Sequence, residues 1–357
     1  MRILLAATMI VAPALAQSVQ VRPAAPAYMP APVDSNSPAF WHDGQFRVLN
    51  SANMPLISSG GNQFLIDETE AVAIENTPRI PMWIEAAWQD DDGVLFAWYH
   101  HEPGAVCPGS ELTAPVIGAL VSRDGGKSFE DLGVVLRTAD APDCNARNGF
   151  FAGGHGDFSV VLDANREYFY FYFSNYGGSI ASQGIAVARM AFDDRYQPQG
   201  AVWKFYQGSW EEPGDGGRVT AVMPASVAWQ RADTDSFWGP SIHWNLRLNM
   251  WVMLLNRACC APRWPQEGIY IAYNADISTP TGWSKPLRII DDVGFGPGWY
   301  PQVLGTRLYQ TDTVASTTPR LYIHGVSHWE LVFSDGPLED EAPVPEPIEP
   351  VDNLPPP

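Results

Sequence analysis

The sequence predicts an all-β protein whose strands form the blades of a five-bladed β-propeller. Composition is the first reason, because 14 Trp, 13 Tyr and 16 Phe stand beside 31 Gly and 32 Pro, and only 17% of the residues are charged. Aromatic strands separated by Gly and Pro turns are typical of all-β domains. The second reason is an internal repeat of aromatic hairpins, whereas convincing amphipathic helical segments are missing.

The repeat consists of a polar or Gly/Pro start, a short apolar strand, a turn with Asp, Asn or Gly, and a second aromatic strand. The five copies begin at Asn36, Trp83, Gly156, Trp238 and Trp299, and the fifth is degenerate. Their starts lie about 50 to 80 residues apart, which leaves room for four strands and loops per blade. Further apolar segments at 116–136, 184–192, 268–274 and 320–333 supply the additional strands.

One strand of the third copy carries aromatic side chains on both faces. Residues 168–173 alternate Tyr and Phe without a polar position (YFYFYF). A strand that is apolar on both faces is expected to be covered on both sides. We therefore expect this strand to lie between two neighbouring blades.

The chain divides into three predicted parts. Residues 1–16 combine a positive start, an apolar run and a small-residue cleavage site, which is the pattern of a signal peptide. The protein is therefore expected to be secreted or periplasmic, with an uncleaved anchor as the alternative. No linker-like stretch interrupts 36–333, so 17–333 is assigned to one propeller domain. Residues 334–357 are assigned to an acidic, Pro-rich and disordered tail.

Charge and cysteines restrict the partners. The formal net charge of −19 disfavours binding to nucleic acid or to an anionic membrane surface. No second long apolar segment follows the first, so a membrane span is not expected. We also expect a monomer. Cys107 and Cys144 lie in Pro/Gly/Asp-rich loops and are expected to form a disulfide. Cys259 and Cys260 are either a vicinal pair or free thiols. The absence of CxxC spacing in the sequence gives a structural zinc site little support.

Residues 122–129 (SRDGGKSF) fit the S-x-D-x-G-x-[ST]-[WF] pattern of an Asp-box. This segment resembles the turn between outer strands of sialidase-type propeller blades. Asp124 is expected to accept hydrogen bonds from turn amides while glycines adopt positive φ. We therefore treat it as a structural marker on the rim and not as a catalytic residue.

The blade starts resemble those of the five-bladed propeller glycoside hydrolases of families 43, 32, 62 and 117. Residues 157–163 (DFSVVLD), followed by an aromatic strand, resemble the family 43 segment D-P-S-V-F-x-D-x-x-G-x-Y-Y. The resemblance implies that Asp157 tunes the proton donor and orients the sugar. Residues 238–242 (WGPSI) resemble the segment E-G-P-x-I, whose Glu is the general acid, but Trp238 cannot donate that proton.

The first copy departs from the family in a similar way. Asn36-Ser37-Pro38 stands where the family has the D-P that supplies the general base, and the nearest acid is Asp34. Innermost propeller strands start near the central channel, so residues at the blade starts are expected to converge in one pocket. These residues are Asp34, Asn36, Glu85, His155, Asp157, Trp238, Trp299 and Tyr300.

Glycoside hydrolysis needs two carboxyl groups across the scissile bond, one protonated and one ionised. Asp34 is predicted to be the base and Glu85 the acid, because the apolar surroundings of Glu85 at 83–88 favour its protonated form. Asp157 is the third catalytic carboxylate, and Glu102 is a competing acid. An inverting mechanism is expected, with a gap of about 6.5–9.5 Å that holds a water.

The other pocket residues are candidates for substrate binding. They are Asn36, Trp83, Glu102, His155, Trp238, His243, Trp299 and Tyr300. The two histidines could bind sugar hydroxyls or help to hold a channel cation such as calcium, although an ordinary hydrogen-bonded histidine is the alternative for each. The tryptophans could stack on sugar faces or pack between blades. No cofactor is expected.

The leading hypothesis is thus a secreted glycoside hydrolase-like protein that acts on a polysaccharide or oligosaccharide. The alternative is a non-catalytic carbohydrate-binding propeller, which is favoured by Trp238 at the expected acid position. A sialidase-like enzyme is a third option, suggested by the Asp-box. It would need a cluster of arginines for a carboxylate substrate, and the blade starts are arginine-poor.

Overall fold

The computed structural model describes residues 18–76, 79–262 and 264–334, which form five sheets arranged as a five-bladed β-propeller. The predicted fold class is confirmed. The predicted signal peptide at 1–16 and the acidic tail from residue 335 onward lie outside the described residues. In the part of the chain that is described, no helix has the length and apolar character needed to cross a membrane.

In each blade the main strands follow one another outward from an innermost strand at the channel, and β1 and β6 are added at outer edges. The first strand of the chain, β1 (Ser18–Tyr28), belongs to the last blade. Blade 1 contains β2 (Ala39–His42), β3 (Gln45–Ala52), β4 (Met54–Asn62) and β5 (Leu65–Ala71). Blade 2 contains β6 (Ala73–Glu75), β7 (Met82–Gln89), β8 (Leu95–His101), β9 (Val116–Ser122) and β10 (Ser128–Leu136). The short β6 pairs in parallel with β10 at the outer edge.

The remaining blades follow in chain order. Blade 3 contains β11 (His155–Leu162), β12 (Tyr168–Asn175), β13 (Gly184–Ala191), the 3-10 helix Phe192–Tyr196, β14 (Val202–Tyr206), β15 (Ser209–Pro213) and β16 (Met223–Pro224). Blade 4 contains β17 (Asp235–Asn245), β18 (Met250–Cys259), β19 (Gln266–Asn274) and β20 (Leu287–Ile290). Blade 5 contains β21 (Pro301–Leu304), β23 (Arg320–Ile323) and β24 (Val326–Ser334), and β22 (Val314–Ala315) pairs in parallel with β17.

The ring closes through the first strand of the chain. β1 pairs antiparallel with β24, so that Ser18 lies opposite Ser334 and Tyr28 lies opposite Val326. The repeat did not reveal this strand, because β1 contains Pro23 and Pro26 and thus lacks the usual aromatic pattern. Proline is tolerated there since β1 is an edge strand.

The cores lie between adjacent blades. On β12, Phe169, Phe171 and Phe173 pack into a cluster with Trp98 of blade 2. On the opposite face, Tyr170 and Tyr172 join a cluster that includes residues of β18 in blade 4. This strand is therefore covered on both faces, as the alternating YFYFYF segment predicted.

Two further predictions concern the turn that contains Asp124 and the four cysteines. Asp124 Oδ1 accepts hydrogen bonds from the backbone N–H groups of Lys127 (3.1 Å) and Ser128 (3.0 Å) in the turn between β9 and β10. The predicted disulfide between Cys107 and Cys144 is present. Cys259 and Cys260 form a vicinal disulfide, which decides between the two alternatives left open by the sequence.

Candidate active site

A cavity of about 570 Å³ lies at the end of the channel where the innermost strands begin. We call it the upper cavity. Seven of the residues predicted for the site line it, namely Asp34, Trp83, Glu102, Asp157, Trp238, Trp299 and Tyr300. Its wall also contains residues that were not predicted, among them Thr113, Phe150, Phe151 and Trp264. A cavity of this size falls in the range of about 300–1,000 Å³ that is usual for ligand sites.

Three innermost strands carry an extra residue near the upper cavity. The pairing of β7 with β8 shifts at Glu85, that of β11 with β12 at Asp157, and that of β17 with β18 at Gly239-Pro240. Such bulges redirect side chains and are frequent next to active sites. Asp157 has a φ of +40°, which is uncommon for a residue other than glycine. The repeat thus places a bulge at equivalent points of blades 2, 3 and 4.

Glu85 does not line the upper cavity but lies buried beneath it, with 2% of the residue exposed. Its Oε1 contacts Nδ1 of His100, and its Oε2 accepts the backbone N–H of Phe158 at 2.9 Å. Both carboxylate oxygens therefore already have partners inside the protein. The apolar surroundings expected from the sequence are present, but they also contain the imidazole of His100.

His100 connects the buried Glu85 to the cavity residue Glu102. Its Nε2 lies 3.5 Å from Oε1 of Glu102, and its ring stacks on Trp83 with a centroid distance of 4.6 Å. Burial by itself lowers the pKa of His100, but Glu85 and Glu102 outweigh burial and hold the pKa well above its usual value. His100 is therefore an imidazolium at neutral pH, placed between two carboxylates.

The three carboxyl groups of the upper cavity differ in protonation. Burial opposes the charge of Glu102, but His100 and a 3.0 Å hydrogen bond from Thr113 lower its pKa. Burial raises the pKa of Asp34 to about 6. Burial and the nearby Glu85 raise the pKa of Asp157 to about 7, although the Tyr176 hydroxyl donates to its Oδ2. Below about pH 6, an ionised carboxylate and protonated carboxyl groups thus share one cavity, as general acid–base chemistry requires.

Charge also limits what the upper cavity can bind. Among its described lining residues there is no Lys or Arg, whereas three carboxyl groups are present. An anionic sugar would meet like charges without a guanidinium partner. The described part of the lining therefore does not contain the arginine cluster that a sialidase-like enzyme would need.

An aromatic wall faces the carboxyl groups. Trp238 packs edge to face against Trp264, Trp299 and Tyr300, with ring centroids 5.4, 5.7 and 5.6 Å apart. Phe150 meets Trp264 edge to face at 5.1 Å. Aromatic pairs in this geometry stabilise each other beyond the area that they bury. The wall is thus pre-formed, and packing and ligand contact are compatible functions of the same rings.

Both disulfides lie at the base of loops that carry this wall. Cys144 precedes the segment with Phe150 and Phe151, and its partner Cys107 follows the Gly104 segment of the cavity lining. The vicinal pair Cys259–Cys260 precedes Trp264. Cross-links at these points restrict the loops that complete the cavity.

Three other predicted residues lie elsewhere. Asn36 lies below the upper cavity, where its Nδ2 donates to the carbonyl oxygens of Phe158 and Pro240, both at 2.9 Å. It therefore joins blades 1, 3 and 4 across the channel. His155 lines a separate pocket of about 250 Å³. His243 is buried in the core, and burial lowers its pKa to about 3.

A channel cation can be tested against the described donors. Ligand atoms of Glu85, His100 and Asp157 lie within 4.8 Å of one another. In this arrangement Glu85 and His100 bond to each other through Oε1 and Nδ1. Calcium moreover prefers a shell of oxygen ligands. The cluster therefore does not fit a calcium ion as it is arranged here.

The sequence contained usable signals for some of the missed residues. His100 lies opposite Trp83 across the β7–β8 hairpin, so the register of that hairpin would have identified it. Trp264 follows the unusual Cys259-Cys260 pair. Thr113 and Phe150 lie in irregular loops, and no repeat position marks them.

No family model matches this sequence, and no curated protein matches it at a significant level. Similar solved structures do exist. An alpha-L-arabinofuranosidase from Lactobacillus brevis is 12% identical with a TM-score of 0.53, over 86% of this chain and 92% of that chain. A thermostable family-43 glycoside hydrolase is 11% identical with a TM-score of 0.50, over 86% and 91% of the two chains. At these identities the similarity establishes the shared five-bladed fold.

Proposed function

We propose that the protein is a glycoside hydrolase that acts on an uncharged polysaccharide or oligosaccharide in the upper cavity. The observation that carries the proposal is the group of Asp34, Glu102 and Asp157, whose pKa values are shifted in different directions. An aromatic wall lines the same cavity, and its described lining residues include no Lys or Arg. Two hydrolases that act on glycosides share the fold, which supports the same conclusion.

The environments suggest a division of roles among the carboxyl groups. Glu102 has the lowered pKa and is proposed as the base that activates water. Asp34 is protonated up to about pH 6 and is less enclosed than Asp157, so it is proposed as the acid. These roles differ from the sequence-based assignment of Asp34 as base and Glu85 as acid. The change follows from the burial of Glu85 and its contact with His100.

The proposed reaction proceeds by inversion. Water attacks the anomeric carbon and gives a proton to Glu102, while the glycosidic C–O bond breaks and the leaving oxygen takes the proton of Asp34. Asp157, which is fixed by Tyr176, is proposed to orient the sugar. His100 and Glu85 act as positioning residues, because the imidazolium favours the ionised form of Glu102.

The experiment compares leaving groups. Aryl glycosides with good and poor leaving groups, together with arabinan, xylan and β-1,3-galactan oligosaccharides, are incubated with the wild type, Asp34→Asn and Glu102→Gln. If Asp34 is the acid, Asp34→Asn hydrolyses the activated substrate far better than the poor one, since a good leaving group needs no proton. Glu102→Gln loses both activities. The exposed Glu75→Gln serves as the control.

A wild-type protein that hydrolyses no member of the panel would contradict the proposal. NMR of the first product formed tests inversion, because an inverting enzyme releases a product whose anomeric configuration is opposite to that of the substrate. A retained configuration would exclude the water-activating role of Glu102 in a single displacement.

A non-catalytic carbohydrate-binding protein is the second candidate. Trp238 stands at the blade-4 position where the resembling segment has the catalytic Glu, and it lies within the aromatic wall. Oligosaccharide binding measured by calorimetry without any product would support this candidate instead.

We also propose that the protein is exported and monomeric. Two disulfides in the described residues support an oxidising compartment. N-terminal sequencing of the mature protein is expected to begin at Gln17. Light scattering tests the oligomeric state, and a cytoplasmic, full-length chain would contradict export.

A further inference from the structure

A second pocket, of about 370 Å³, lies at the opposite end of the channel. We call it the lower pocket. The innermost strands that open the upper cavity with Trp83, Asp157 and Trp238 also reach the lower pocket, where their other ends contribute Trp88, Leu162 and Trp244. The two sites are therefore the two mouths of one channel.

The two mouths are separated by protein. Asp157 and Leu162 are five residues apart on β11, which corresponds to roughly 16 Å along a strand. Between them Asn36 donates to Phe158 and Pro240 and bridges three blades. The lower pocket thus lies too far from the upper cavity, and opens at the opposite mouth of the channel, to be a subsite of it.

The arginines at the lower pocket are paired with carboxylates, whereas Asp163 of the lining accepts the backbone N–H groups of Glu167 and Tyr168. Arg166 forms ion pairs with Asp91 (2.8 Å) and Asp90 (3.0 Å), and its guanidinium lies over the ring of Trp88 at 5.4 Å. Arg195 also pairs with Asp90 at 2.8 Å. Each described Arg near the pocket thus has a carboxylate partner, so that little net positive charge remains for an anion.

An aromatic corner completes the pocket. Trp244 on β17 and Trp251 on β18 are cross-strand partners, and their rings meet edge to face at 5.3 Å. Trp244 is partly exposed and Trp251 is 8% exposed. Polar side chains of Gln89 and Thr313 border the same space. Indole faces beside fixed hydrogen-bonding groups suit a ligand with one apolar face and several hydroxyl groups.

We infer that the lower pocket is a carbohydrate-binding site for an uncharged saccharide unit, separate from the upper cavity. The paired arginines disfavour an anionic ligand, and the aromatic corner disfavours a bare cation site. If the saccharide belongs to the polymer that the upper cavity hydrolyses, which rests on the proposed function, the lower pocket anchors a second chain or branch of that polymer.

The test fills the pocket from its rim. Ala164 is exposed on the turn after β11 and borders the pocket, so Ala164→Trp is expected to block it without disturbing the core. Asn165→Trp, at the next exposed position outside the pocket lining, is the matched control. Trp244→Ala removes part of the aromatic corner as an independent variant. Circular dichroism and melting temperature verify that each variant folds.

Binding of arabinan, xylan and β-1,3-galactan oligosaccharides is measured by saturation-transfer NMR and calorimetry, in the wild type and in Glu102→Gln. The proposal expects a second binding event that Ala164→Trp and Trp244→Ala each weaken by about tenfold or more, equivalent to about 1.4 kcal/mol. Asn165→Trp leaves the event unchanged. Turnover of a small aryl glycoside also stays unchanged in the three variants.

Several outcomes would overturn the inference. Folded Ala164→Trp and Trp244→Ala proteins that bind every oligosaccharide as the wild type does would exclude a saccharide site. Loss of a dimer instead of loss of sugar binding would identify a second copy as the occupant. A protein that binds sugar at the lower pocket but hydrolyses nothing would refute the proposed function and leave this inference intact.

Discussion

The two mouths of the channel use the same residue types in opposite ways. In the upper cavity Asp34, Glu102 and Asp157 have no lining Arg or Lys in the described residues, and the cation beside them is the imidazolium of His100. In the lower pocket the carboxylates of Asp90 and Asp91 are paired with arginines. Permanent pairing fixes protonation, whereas burial without pairing shifts the pKa into the range where protons move.

This contrast shows how one scaffold can hold chemistry at one end and recognition at the other. A guanidinium remains charged at every physiological pH and holds a carboxylate ionised. The charge of a histidine, by contrast, depends on its surroundings, because its pKa lies near physiological pH.

The largest effect is expected from Glu102→Gln. Without the ionised carboxylate beside His100, no described lining group with a lowered pKa remains to take a proton from water. Hydrolysis is therefore expected to fall about 10²–10⁴-fold, the usual contribution of a general base. The measurement is kcat/KM on the best substrate of the panel, with Glu75→Gln as control. Unchanged activity would remove Glu102 from the mechanism.

The next effect concerns pH. Because the pKa of Asp34 is raised to about 6, kcat/KM of the wild type is expected to decline as the pH rises through that value and the acid loses its proton. At low pH the rate declines again as Glu102 becomes protonated. Asp34→Asn is expected to lose the decline near pH 6 on an activated aryl glycoside. A decline that persists in this variant would assign the acid role to Asp157.

A third prediction concerns the lower pocket. Asp90 is 10% exposed and accepts hydrogen bonds from Arg195 and Arg166, so Asp90→Asn leaves the largely buried Arg195 without its carboxylate. We expect a loss of about 1–3 kcal/mol in the free energy of unfolding, measured with denaturant. Asp91→Asn is the matched control, because Asp91 is 84% exposed and solvent screens its pair with Arg166.

Turnover of a small aryl glycoside should be unaffected by either substitution, since neither residue reaches the upper cavity. Equal destabilisation by the two variants would mean that burial does not distinguish the two carboxylates. A loss of turnover in Asp90→Asn at full stability would mean that the two mouths are coupled.

What the sequence could predict follows from how local each feature is. The blade hairpins are local, and their repeat revealed the propeller and the convergence of Asp157, Trp238 and Trp299. By contrast, β1 is held by a strand about 300 residues later in the chain, and its prolines conceal it. Its place could be learned only from the closed ring.

Glu85 illustrates why the site was harder to predict than the fold. In a regular strand Glu85 and Trp83 would point to the same side, since side chains alternate with a period of two. The bulge at Glu85 breaks this alternation, and the side chain turns to His100 beneath the cavity. Glu102, which the sequence offered only as a competing acid, lines the cavity just after the end of β8.

The last prediction concerns how the free energy of unfolding depends on pH, and the direction of this dependence follows from Asp157. Asp157 is 3% exposed, and its pKa is raised from 3.8 to about 7, so the folded protein binds this proton more tightly than the unfolded chain. Stability contributed by the protonated group is therefore lost as the pH rises from about 4 to about 7. Asp157→Asn, whose amide oxygen can still accept from Tyr176, removes this dependence.

Relative to wild type, the free energy of unfolding of Asp157→Asn is expected to rise between about pH 4 and about pH 7, by up to about 1.4 kcal/mol per pH unit. The exposed Asp43→Asn is the matched control and should show no such trend, because the Asp43 side chain is 87% exposed. Denaturant unfolding across this pH range measures both variants. A pH-independent difference for Asp157→Asn would show that no charge is being buried at that position.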